Sequence, residues 1–168
     1  GKLTAERAIE AMNLQDGANI SVVRLVNTYG PGDNFGDDAL VIPALIKRIS
    51  SGEHPLRLAG GDNERDVLYV DDAARGIVAA LEHETAGTWN LGTGKGTTVW
   101  NIACEAAFAL GVEKMAMEHD GSPSGATRKV VDPSRALREL GWIAQVSLAE
   151  GIKKTVEWYR AQHRGATK

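Results

Sequence analysis

Apolar residues recur along this chain in two alternating rhythms. In residues 2–15, Leu3, Ala8, Ile9 and Met12 fall at helical spacing with Glu6, Arg7 and Glu10 between them, and Asp16-Gly17 stops the run. Ile20 to Val26 is β-branched and nearly continuously apolar, which predicts a strand buried on both faces of a parallel sheet. Tyr29 to Gly36 is dense in turn residues and predicts a loop. Asp37-Asp38 then precede Leu40, Val41, Ile42, Leu45, Ile46 and Ile49, predicting an acidic N-cap and a helix that tolerates Pro43 in its first turn.

Two short strands follow, His54 to Ala59 and Val67 to Val70, around the turn Gly60-Gly61-Asp62-Asn63. Asp71-Asp72 would cap a helix running to His83, and Thr88 to Leu91 forms another strand before Gly92-Thr93-Gly94. A helix near 98–110, a strand at Lys114–Glu118, a loop at Gly121–Gly125 and helices near 133–140 and 147–163 complete the pattern. There is no internal repeat, linker or low-complexity segment. Strands so far apart in sequence imply an α/β fold with parallel crossovers, yet only two of them look core-like, too few for a doubly wound sheet. Residues 1–168 are expected to form a single compact unit, with the opening helix continuing an element that starts upstream.

Composition narrows the function. With 168 residues, 43% hydrophobic and 24% charged, the chain can bury a core, and no apolar run is long enough to span a bilayer as a helix. A formal charge of −3 gives no broad positive field, which argues against nucleic acid as a partner. The single cysteine, Cys104, sits in an apolar helical run and reads as a buried, inert thiol. The four histidines share no spacing, and there is neither a nucleophile elbow nor a metal-ligand set. Gly92-Thr93-Gly94-Lys95-Gly96-Thr97-Thr98 lies between a strand and a helix like a phosphate loop. It has Thr97 where the dinucleotide fingerprint needs glycine, and Lys95 is followed by Gly96, so a tight turn is the better reading. Arg65, between a glycine turn and an apolar strand, either pairs with Asp66 or Glu64 or grips a phosphate.

Five separated blocks carry a resemblance. Arg24-Leu25-Val26-Asn27-Thr28-Tyr29-Gly30-Pro31-Gly32, Val41-Ile42-Pro43, Gly60 through Asp72, Trp89-Asn90-Leu91-Gly92-Thr93-Gly94, and the pair Glu139 to Trp142 and Leu148 to Tyr159 occur in this order. In that order they resemble the extended short-chain dehydrogenase/reductase family acting on nucleotide sugars, closest in motif to its GDP-fucose synthase branch. The resemblance implies an α/β fold that is the C-terminal part of such an enzyme. Residues 1–35 and 66–110 would hold the final core strands of a Rossmann-type parallel sheet, and 36–65 and 111–168 a small α/β substrate-binding domain. The N-terminal dinucleotide-binding part would be absent.

Its implications for the site are specific. Lys2 would be the lysine of the Y-x-x-x-K helix, catalytic and cofactor-binding, with its tyrosine partner outside the chain. Such a lysine holds the nicotinamide ribose and lowers the tyrosine's pKa. Asn27 and Arg65 would hold the diphosphate of the nucleotide sugar, with Arg48 and Lys129 as further basic groups there. Leu56 and Leu58 would contact the base, and Tyr29, Gly30 and Pro31 would lie near the nicotinamide. The branch's acid/base histidine is replaced by Leu40, which cannot exchange a proton, so C3/C5 epimerisation is not expected. NAD or NADP would serve the intact parent, with neither bound by this chain alone. A cytoplasmic location, a homo-oligomer and a UDP-, GDP- or dTDP-sugar ligand are the remaining implications. The alternative is a non-catalytic nucleotide-diphosphate-binding or oligomerisation module.

Overall fold

The computed structural model describes residues 1–121 and 125–163. Helix α1 (Lys2–Gln15) leads to strands β1 (Val22–Leu25) and β2 (Asn27–Tyr29), then to helix α2 (Val41–Ser50). Strands β3 (Leu56–Leu58), β4 (Glu64–Arg65) and β5 (Val67–Tyr69) precede helix α3 (Val70–Glu82). Strands β6 (Thr88–Leu91) and β7 (Thr97–Thr98) lead into helix α4 (Val99–Ala109). Strands β8 (Met117–His119) and β9 (Arg128–Lys129) come before helices α5 (Ser134–Leu140) and α6 (Leu148–His163). Of the expected loop at Gly121–Gly125, residues 122–124 lie outside the described residues.

Parallel pairing dominates, as expected of distant strands. β1 pairs with β6, β2 with β5 and β3 with β8, all parallel, while β4 sits between antiparallel β7 and parallel β9. Side chains alternate along β5 and divide the interior. Val67 and Tyr69 join a core built from α2, α4 and α6, including Ile42, Ile46, Ile102 and Ile152. Leu68 faces the other way, into a second cluster with Trp89, Leu91, Ala136 and Trp142. The first core needs close approach at one glycine: a Cβ on Gly151 would fall onto the Tyr29 phenol and within 3.0 Å of the Tyr69 ring.

Three local expectations need correcting. The strand at 20–26 is not buried on both faces: β1 is half-buried at Val22 and Val23 and exposed at Arg24 and Leu25, because among the described residues only β6 flanks it. Neither aspartate pair caps a helix. α2 starts after Leu40 and α3 after Tyr69, both without a side-chain cap, so Asp37 and Asp38 stay in an exposed turn and Asp71 and Asp72 fall inside the first turn of α3. Cys104 is exposed, because α4 buries the face carrying Ile102, Ala103, Ala106 and Ala107 and turns Cys104 and Phe108 outward. α1 buries no residue at all. It is held by the Arg24–Glu6 ion pair and by Asn13, whose side-chain amide bonds both the N–H and the C=O of Ile20.

Candidate functional site

The three-stranded sheet β7–β4–β9 sorts its charges onto two faces. Residues directly opposite one another share a face, so Glu64 stands with Thr98 and Arg128, and Arg65 with Thr97 and Lys129. On the first face Arg128 donates to Glu64 at 2.8 Å and the charges cancel. On the second, Arg65 and Lys129 stand side by side without a carboxylate partner among the described residues. The expected alternative for Arg65, an ion pair with Asp66 or Glu64, is therefore corrected: Glu64 is taken by Arg128 and Asp66 is buried elsewhere. Arg65 Nη1 instead donates to the carbonyls of Glu64 and Ala126, both at 2.9 Å, which fixes the guanidinium and leaves its other nitrogens for an anion.

Asn27 begins the parallel pairing with β5, opposite Val67, which follows Arg65 of β4 by two residues in the chain. It is half-buried, and its side-chain amide makes no hydrogen bond to any described residue. A half-buried amide with free donors and an acceptor is ready for a polar ligand. Asp66, which separates Arg65 from Val67, has a different job. Its carboxylate accepts from the Thr93 N–H at 2.9 Å, the Thr93 hydroxyl at 2.6 Å and the Gly94 N–H at 3.0 Å. The N–H groups of Thr93 and Gly94 are thereby engaged, and that of Lys95 donates to the Thr93 hydroxyl at 3.1 Å. Thr98 then caps α4 by accepting from the Asn101 N–H.

The remaining expected residues are spread more widely. Arg48 makes a two-pronged pair with Glu53, and together they cover the outer edge of β3: Arg57 donates its N–H to Glu53, and its carbonyl accepts from Arg48. The Arg48 guanidinium holds the Glu53 carboxyl below the usual carboxylate range. Leu56 and Leu58 point into the core and their main chain is paired on the β8 side, the Leu56 N–H donating to the Ala116 carbonyl and the Leu58 carbonyl accepting from the Asp120 N–H, while Arg57 between them is exposed and pairs with Glu118 at 3.6 Å. The Tyr29 side chain is likewise buried, and burial pushes its phenol above the ordinary tyrosine range. Gly30 and Pro31 line a hollow of about 150 Å³ with Asp33, whose carboxyl is raised by burial. Lys2 is exposed in the first turn of α1, and its side chain makes no ion pair among the described residues. Leu40 is exposed just before α2.

No group of three or more metal-binding side chains forms among the described residues, and no described helix is long and apolar enough to cross a membrane. Sequence reasoning missed Thr97 as a neighbour of Arg65. Its only signal was a β-branched pair after Gly96, because a strand of two residues shows no periodicity.

These blocks and their arrangement have counterparts among known proteins. Residues 1–92 match the NAD dependent epimerase/dehydratase family. The chain belongs to that family. Within it, the chain is 31% identical over 170 residues to GDP-L-fucose synthase 1 of Arabidopsis thaliana, covering 94% of this chain and 51% of that protein. It is 32% identical over 149 residues to UDP-glucose 4-epimerase of Mycolicibacterium smegmatis, covering 88% of this chain and 47% of that protein. The crystal structure of UDP-glucose 4-epimerase from Thermotoga maritima with UDP-glucose superposes with a TM-score of 0.85 at 31% identity, over 96% of this chain and 52% of that one. The chain thus spans about half the length of the family members it matches, and its fold is part of the α/β fold they share.

Proposed function

We propose that this chain is the nucleotide-sugar-binding C-terminal part of an NAD(P)-dependent nucleotide-sugar epimerase or dehydratase and that alone it does not turn substrate over. One observation supports this above others: Arg65 and Lys129 share a face of the β7–β4–β9 sheet that carries no carboxylate, and the Asn27 amide stands opposite Val67, two residues beyond Arg65 in the chain. Two cations and an amide suit a diphosphate, and the planar guanidinium, anchored by two carbonyls, can grip it with two parallel bonds. Arg48 joins them only by releasing Glu53, and the base is expected beside β3, at Leu56 and Leu58. The ligand's class is a UDP-, GDP- or dTDP-sugar, and the relatives whose names include such sugars make that class the natural one to test.

In the parent enzyme NAD or NADP would accept and return hydride. Lys2 would hold the nicotinamide ribose and stabilise the phenolate of a tyrosine that this chain does not supply, with Gly30 and Pro31 beside the ring. We place the parent in the cytoplasm as a homo-oligomer. The alternative reading as an oligomerisation module draws on one feature, the exposed Leu3, Met12 and Leu14 of α1.

Calorimetric titration with UDP and GDP separates the readings. Binding that is lost in Arg65→Ala and weakens as salt rises supports the diphosphate site. Absence of binding to either nucleotide sinks it and favours the module. The expected result with NAD(P) and any nucleotide sugar is no hydride transfer by the isolated chain, and measurable turnover would contradict that part of the proposal.

A further inference from the structure

Asp33 carries the one buried side-chain oxygen among the described residues that has no hydrogen-bond partner. Its two carboxylate oxygens are used differently: Oδ1 accepts from the Asn34 N–H at 2.8 Å, while Oδ2 is enclosed and accepts from nothing. Buried acceptors are almost always satisfied, so an orphan of this kind points to a donor from outside the fold. Asp33 lines a hollow of about 150 Å³ with Thr28, Gly30, Pro31, Gly32 and Val70. Burial raises its carboxyl above the usual carboxylate range, and the Asn34 N–H offsets this only in part.

The fold does not supply the missing donor. The Thr28 hydroxyl donates to the Val26 carbonyl at 3.2 Å and the Tyr29 hydroxyl to the Leu148 carbonyl at 3.5 Å. Lys47 is paired with Asp37 at 3.9 Å and Lys154 with Glu150 at 2.8 Å, and Asp33 forms no ion pair among the described residues. The loop is also tied on both sides of the carboxylate. The Asp33 N–H donates to the Gly30 carbonyl at 3.2 Å and the Gly36 N–H to Asn34 Oδ1 at 2.8 Å. Phe35 packs on α6, with its ring centroid 4.6 Å from that of Tyr159 and 5.9 Å from that of Trp158. Turning Asp33 out to solvent therefore breaks the Asn34 bond.

The deficit has a defined chemistry: one negative charge and one acceptor without a donor. A divalent metal is the wrong occupant, since it takes about six oxygen ligands and no group of three or more metal-binding side chains forms among the described residues. A neutral hydroxyl supplies a donor and leaves the charge uncompensated. A protonated primary amine supplies both, and its carbon stem suits Pro31 and Val70. We infer that the hollow is a seat for a primary ammonium group, with Asp33 Oδ2 as its ion partner and acceptor. Thr28 and Tyr29 follow Asn27 on β2, so on a nucleotide sugar held at Asn27 the seat reads a free amino substituent of the sugar. That extension alone rests on the proposed function.

The seat is tested without a nucleotide by NMR titration of the chain with methylammonium, tetramethylammonium and methanol at constant ionic strength. Methylammonium has both charge and N–H donors, tetramethylammonium the charge alone and methanol a donor alone. Methylammonium should shift the amides of Gly32, Asp33 and Asn34 saturably, at about tenfold lower concentration than either control, the effect of one charge-assisted hydrogen bond. It should also lower the pH at which the Asp33 carboxyl carbon titrates, a change that a purely structural aspartate would not show. Asp33→Asn keeps an acceptor for the Asn34 N–H, loses the charge and should abolish the preference; the comparison of probes on the wild type stands by itself should that variant fail to fold. Equal responses to the three probes, shifts as large at the exposed Asp37-Asp38 turn, or the same preference in Asp33→Asn would overturn the inference. So would the absence of a saturable shift with methylammonium. None of these outcomes depends on whether UDP or GDP binds.

Discussion

Arg65 and Asp66 are adjacent in sequence, yet Asp66 holds the fold together whereas Arg65, under the proposed function, binds the ligand. Asp66 is buried with three donors converging on its carboxylate, so Asp66→Ala strands the Thr93 and Gly94 groups in the interior. The expected cost is about 2–3 kcal/mol, read as a lower midpoint in urea unfolding. Arg65→Ala removes only two bonds to carbonyls from a half-buried position and should leave that midpoint within about 0.5 kcal/mol of wild type while abolishing nucleotide binding. Unfolding that follows nucleotide loss in both variants alike would show that Arg65 is structural. Tyr29 carries a pH signature. Its phenol is raised by burial first and by neighbouring acidic groups second, so the neutral form is favoured in the folded state. Stability is full below the unfolded tyrosine value near 10 and falls as pH rises above it, because the unfolded chain ionises first. Tyr29→Phe should flatten that alkaline decline, and an unchanged pH profile would contradict the account.

At the scale of elements, the patterns that were legible are those long enough to repeat. α1, α4, α5 and α6 follow their apolar spacing to within a residue or two, and the parallel pairing of β1, β2 and β3 agrees with strands set far apart. The aspartate pairs misled because a carboxylate before an apolar run has more than one use: Asp72 reaches across the fold to the N–H groups of Gln145 and Val146, a contact with no local trace in sequence. β4, β7 and β9, two residues each, are likewise set by tertiary pairing, and they carry the candidate site. The seat of α6 offers a test at this scale. A methyl on Gly151 would strike the Tyr29 and Tyr69 rings, both buried, and neither can withdraw to solvent. Gly151→Ala should therefore destabilise by about 1–3 kcal/mol despite the better helix propensity of alanine, and a stabilised variant would show that α6 seats differently.

On the whole molecule, the distribution of burial sets what the chain can do alone. The two cores on either side of β5 hold fully buried side chains, whereas α1 has only half-buried and exposed residues and β1 shows an unpaired edge among the described residues. Exposed Leu3 and Leu14 are expected to drive self-association, so light scattering should report a species larger than a monomer that Leu14→Glu reduces; a clean wild-type monomer would contradict this. The family was legible from five motifs, and the resemblance named Asn27, Arg65 and Lys129; their arrangement was not legible, because Thr97, Arg65 and Lys129 meet from three distant segments. The most direct test of that surface is a residue-resolved NMR titration of the chain with UDP and with GDP. The account predicts saturable shifts centred on the amides of Asn27, Arg65, Thr97 and Lys129 for at least one nucleotide; shifts centred instead on α1 or on the exposed Cys104–Phe108 face of α4 would contradict it.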